Sequence, residues 1–130
     1  MWLASRAPKR KFAGIILQSP FTSIRDLAED ILRPFLGCLF FGALLHPWVI
    51  GYKYDNVSSI GQLDRDVPIL FIHGAKDKVV PVEMTYKLMG IPHYHDDHKI
   101  HIQNRSTHNR FDEATLLLHM IDFVKVISRE

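Results

Sequence analysis

The sequence predicts an α/β domain built on a small parallel sheet, and three observations carry that prediction. Two short apolar runs, Phe12 to Leu17 and Ile69 to Ile72, and a third strand-like run, Lys99 to Ile102, are each closed by turn residues. Stretches with i, i+3, i+4 apolar spacing separate and follow them. The middle run, Ile69-Leu70-Phe71-Ile72, shows no polar alternation, which is the pattern of a strand covered on both faces. Strand and helix alternate, so right-handed crossovers are expected to lay about three parallel strands side by side with helices on both faces.

The elements follow in order. Met1 to Pro8 reads as the tail of a preceding element, because Trp2, Leu3 and Ala4 are apolar with no strand or cap ahead of them. Phe12 to Leu17 is the first strand, ended by Gln18-Ser19-Pro20, where Ser19 is expected to cap a turn. Ser23 then precedes the stripe Ile24, Leu27, Ala28, Ile31 and Leu32, with Asp26 three residues on in a capping-box-like arrangement, so a short helix should end near Pro34. Ile60 and Leu63 can pack a helical turn ahead of the Val67-Pro68 strand. Pro81 suits the first position of the next helix, which should bury Met84, Leu88 and Met89 and stop at Gly90. Asp112 and Glu113 open the last helix, Leu116, Leu117, Met120, Ile121, Val124 and Ile127 give its apolar stripe, and Lys125 and Arg129 suit its C-terminal end.

Composition bounds the function. The 130 residues make one small domain, and 47% hydrophobic content is that of a globular chain. Sixteen basic against fourteen acidic residues, a net charge of +2, gives no nucleic-acid footprint; Arg6, Lys9, Arg10 and Lys11 read as a solvated helix end. The lone Cys38 excludes an intramolecular disulfide and fits a cytoplasmic setting. Trp2 to Ala7 is too short for the apolar core of a signal peptide. From Pro34 to Tyr52 no residue carries a formal charge, but His46, Pro47 and three glycines interrupt the segment, so a membrane span is not expected. A lid, the wall of an apolar pocket with peripheral membrane contact, and plain core packing all fit residues 34–52.

Two residues point to chemistry. Asp77 follows the buried strand and its His73-Gly74 turn, and His108 follows the last strand, so both fall at the carboxyl ends of strands, where α/β sheets collect their ligands. A solvated loop aspartate would also sit at such a position. Val67-Pro68-Ile69-Leu70-Phe71-Ile72-His73-Gly74 with Asp77 and Val80-Pro81 resembles the acid motif of the α/β-hydrolases, and Thr107-His108-Asn109 resembles their histidine loop. The resemblance runs over residues 12 to 130, and the Ser19-Pro20-Phe21 turn with the His-Asn pair is similar to the serine hydrolase branch that includes palmitoyl-protein thioesterases.

The resemblance implies a C-terminal half of an α/β-hydrolase fold, with Asp77 and His108 as acid and histidine of a Ser-Asp-His triad. It places Asn109 beside the histidine in support and Ser19, Phe21 and Trp48 near the substrate. The implied substrate is an acyl ester or thioester, lipidated proteins included, with no cofactor. Arg110 stands where many relatives carry an acid, so substrate details do not transfer. The nucleophile elbow G-x-S-x-G is missing: none of the 7 glycines flanks a serine on both sides. Ser19 lacks the glycines of a strained elbow, and Cys38 sits in an apolar run that raises a thiol's pKa. The 130 residues alone are therefore expected not to catalyse acyl transfer. The alternative is a truncated, non-catalytic relative that acts as an interaction module, with the first strand's uncovered edge as its pairing surface.

A third reading rests on His93-Tyr94-His95-Asp96-Asp97-His98, which as a string resembles the H-x-H-x-D-H zinc signature of metallo-β-lactamase-like hydrolases, with His101 as a further potential ligand. That family needs more ligands far downstream, and little chain follows His101. A loop that picks up zinc or nickel adventitiously fits better than a catalytic metal.

Overall fold

The computed structural model describes residues 5–6, 12–34, 54–64, 66–91 and 99–129. Within them lies one open sheet of three parallel strands in the order β1-β2-β3: β1 Ile15–Gln18, β2 Ile69–Gly74 and β3 Lys99–Gln103. Four helices accompany it: α1 Ile24–Leu32, α2 Asn56–Gly61, α3 Val82–Met89 and α4 Glu113–Ile127. The mixed α/β class and the parallel sheet are as the alternation of elements predicts.

β2 is the hub. It pairs with β1 from Ile15↔Ile69 to Gln18↔Ile72 and with β3 from Leu70↔Lys99 to Gly74↔Gln103, and all six of its residues are buried. Its odd residues Ile69 and Phe71 join Ile60, Leu63 and Leu88 on the α2 and α3 face. Leu70 and Ile72 meet Phe123 of α4 on the other. Each such side chain contributes about 1.5–3 kcal/mol by leaving water.

The first strand is shorter than its apolar run. The ladder begins where Ile15 N donates to Pro68 O at 2.9 Å, just ahead of β2, and Phe12 is left exposed. Gly14 lies beneath α4, where a Cβ would stand 3.1 Å from both Phe123 and Ile127. Ser23 caps α1 as its spacing predicts, accepting from Asp26 N at 3.0 Å.

Two apolar faces differ from expectation. In α3 the buried residues are Met84, Thr85 and Leu88, while Met89, at the helix end and one step further round, is exposed. In α4 the sheet-facing line is Leu116, Met120, Phe123 and Ile127, and Leu117, Ile121 and Val124 lie in solvent. α4 is apolar over more than half its circumference, so apolarity alone did not select its buried side.

Ile15 and Ser19 direct their N–H groups to β2, Ser19 N meeting Ile72 O at 2.8 Å. The backbone of Ile16 and Gln18 therefore faces away from β2, and among the described residues no strand pairs with that edge. No helix among the described residues is long and apolar enough to cross a membrane. Cys38, His46 and Trp48 within the 34–52 segment, and the histidine string His93, His95, Asp97 and His98, lie outside the described residues.

Candidate active site

Asp77 is held by the turn that ends β2. Its N–H donates to Gly74 O at 3.0 Å, while Ala75 N and Lys76 N donate across to Gln103 O at 3.0 Å and Ser106 O at 2.9 Å, locking this turn to the one after β3. Asp77 Oδ1 accepts the N–H groups of Val79 and Val80, both at 2.8 Å, an Asx-type closure that fixes the carboxylate plane. The side chain is fully buried. Burial pushes its pKa up, but the N–H groups of Val80 and Val79 and the His108 ring outweigh that and hold it below the ordinary aspartate value. Asp77 is therefore an anion at neutral pH.

His108 is delivered by a loop that Gln103 staples shut. Gln103 Oε1 accepts Ser106 Oγ at 2.5 Å and Asp112 N at 2.8 Å, and its Nε2 donates to Asp112 O at 3.2 Å. The loop can settle onto β2 because residue 74 is glycine: a Cβ there would stand 2.6 Å from Ser106 O and 2.8 Å from Thr107 O. His108 Nδ1 then lies 2.8 Å from Asp77 Oδ2. A carboxylate only accepts, so Nδ1 carries the proton and Nε2, on the far edge of a ring still 33% exposed, is left as the acceptor. A histidine oriented in this way can take a proton from a hydroxyl or water presented to Nε2.

His73, which the sequence places in the turn after the buried strand, belongs to β2 itself. It is wholly buried, with Nδ1 2.6 Å from Thr85 Oγ1, Nε2 2.9 Å from Val80 O and the same Nε2 3.4 Å from Asp77 Oδ2. The available signal was a histidine inside an otherwise apolar buried strand, since a buried imidazole must find partners.

The remaining predicted site residues are not gathered by hydrogen bonds to this pair. Ser19, at the end of β1, has φ 44° and a buried Oγ with no hydrogen-bond partner among the described residues. Phe21 is half-buried, and its carbonyl accepts from Asn56 Nδ2 at 2.8 Å. Asn109 is exposed, and no side-chain hydrogen bond ties it to His108 among the described residues. Ser59-Ile60-Gly61 has half of an elbow's spacing, but it lies within α2, where Ser59 Oγ donates to Asp55 O. Among the described residues no three histidine, cysteine or acidic side chains come together to hold a metal.

No protein-family model and no curated protein matches this chain.

Proposed function

We propose that this chain supplies the acid and the general base of a serine hydrolase of the α/β-hydrolase type, acting on acyl esters or thioesters. One observation carries the reading: a buried carboxylate, anchored through Oδ1 by two backbone N–H groups, receives His108 Nδ1–H on Oδ2 at 2.8 Å. In such a couple the carboxylate fixes the imidazole tautomer and stabilises the imidazolium formed when Nε2 takes the nucleophile's proton. The proton then goes to the leaving alkoxide or thiolate, and a water, deprotonated in the same way, releases the acyl group. The serine and the oxyanion donors come from chain upstream of this sequence, and lipidated proteins fall within the substrate class.

An antibody to the Asp112–Glu130 segment tests this by recovering the protein from its cells. The expected result is a species well above 15.1 kDa that reacts with a fluorophosphonate and hydrolyses palmitoyl-CoA. In that species Asp77→Asn and His108→Ala each lower turnover by roughly a thousandfold or more. An unreactive species at the size of this chain overturns the reading. The interaction-module reading is favoured by the β1 edge at Ile16 and Gln18, which pairs with no strand among the described residues, and that second outcome would select it.

A further inference from the structure

We propose that His73 is a positioning residue that holds Asp77 in the orientation His108 requires, so that the working unit is Thr85, His73, Asp77 and His108 rather than an acid and a histidine alone. Val80 O can only accept, so the proton on His73 must be at Nε2. That N–H donates to Val80 O at 2.9 Å, and the same nitrogen lies 3.4 Å from Asp77 Oδ2, an electrostatic contact beside the hydrogen bond. The Thr85 hydroxyl, 2.6 Å from Nδ1, donates to the ring's other nitrogen and fixes its rotation.

Asp77 Oδ2 is therefore flanked by two imidazoles. His108 approaches from the solvent side and His73 from inside the core, both His73 and the carboxylate being completely buried. Oδ1 is pinned by the Val79 and Val80 N–H groups, and the carbonyl of the same Val80 receives the His73 proton, so His73 braces both the carboxylate and the backbone that anchors it. An apolar side chain of equal size would fill the volume but leave Val80 O unpaired, and the turn whose N–H groups pin Oδ1 would gain freedom. In catalysis, which rests on the hydrolase reading above, that freedom would misdirect His108; in the resting protein it would weaken one observable hydrogen bond.

That bond is the readout. In the full 130-residue chain the His108 Nδ1–H donated to Asp77 gives a downfield imidazole proton in ¹H NMR, assigned by its loss in Asp77→Asn. We expect His73→Phe, with far-UV circular dichroism retained, to speed its exchange with water by about tenfold, equivalent to the loss of one ordinary buried hydrogen bond. His73→Gln, whose amide can donate from the same place, should keep exchange within about threefold of the parent. Should His73→Phe fail to fold, Thr85→Val takes its place, since it leaves the imidazole present but unfixed, and an acceleration of about threefold is expected.

Exchange unchanged within twofold in the folded variants overturns the proposal. So does an equal loss in His73→Gln and His73→Phe, which would assign the effect to packing. The resonance needs neither nucleophile nor substrate, so its loss in a protein without hydrolase activity in any form would sink the hydrolase reading and leave the positioning role standing.

Discussion

Gly74 lies so close beneath Ser106 that a single added methyl would stand 2.6 Å from the Ser106 carbonyl oxygen. The opposing atoms are backbone, so they cannot rotate aside. Gly74→Ala should therefore push the His108 loop off β2, costing about 1–3 kcal/mol or more for overpacking and lengthening the bond to Asp77. Urea unfolding gives the first quantity and the His108 Nδ1–H resonance the second; a variant as stable as the parent with that resonance intact would contradict the close approach.

Asp77 predicts an acid limb. Burial raises its pKa, the N–H groups of Val80 and Val79 and the His108 ring lower it by more, and the folded value falls below the ordinary one. The unfolded chain then binds the proton first, so the stability Asp77 contributes is complete above the ordinary aspartate value and is lost as pH falls through the folded value. Asp77→Asn should be less stable than the parent at pH 7 by about 1–3 kcal/mol, because the His108 Nδ1–H loses its charged acceptor. The difference should shrink on acidification below about pH 4. Chemical denaturation of both forms at a series of pH values measures it.

His101 and His119 make a second, separate titration. Their rings stack with centroids 3.6 Å apart across β3 and α4, and His101 Nε2 is buried with no hydrogen-bond partner among the described residues. Burial first, and the neighbouring His119 second, push the His101 pKa down. Its folded form resists the proton that the unfolded chain accepts near pH 6.5, so stability should decline as pH drops from about 7 through the folded value. His119→Leu removes the repelling partner and should flatten that decline between pH 7.5 and 5.5; an equal slope in both proteins would show that the pair does not govern it.

Ser19 offers a test with the opposite sign. Its Oγ is buried and unpartnered among the described residues, so Ser19→Ala removes a desolvated hydroxyl without breaking a hydrogen bond. Stability should hold or rise, by up to about 1–2 kcal/mol. A loss of that size in calorimetry would mean that the hydroxyl has a partner in solution.

The legible part of this chain was the part written in short-range chemistry. A charge-free apolar run after Pro68 announced β2, Ser23 with Asp26 announced the start of α1, and Asp77 and His108 were placed at strand ends before any distance was known. Less legible was whatever depends on which of two similar options packs. α4 carries apolar residues on two sides, and only the sheet decides that Phe123 turns inward while Leu117 does not. The brace on Asp77 was hidden for a related reason: His73 and Thr85 are unremarkable singly and become a pair only when α3 folds back against β2. Gly74 read as a turn residue, and its actual task, admitting a neighbouring loop, is a fact of three-dimensional crowding.

Among the described residues, the hydrogen bonds that fix Asp77 and His108 come from residues between His73 and Asp112, and β1 donates none of them. On the function proposed above, the proton-handling half of the machinery is a contiguous cassette, assembled without β1. Such a cassette could be inherited, lost or recombined as one piece, and on the same reading the β1 edge, which pairs with no strand among the described residues, is where a segment bearing a serine elbow would join it.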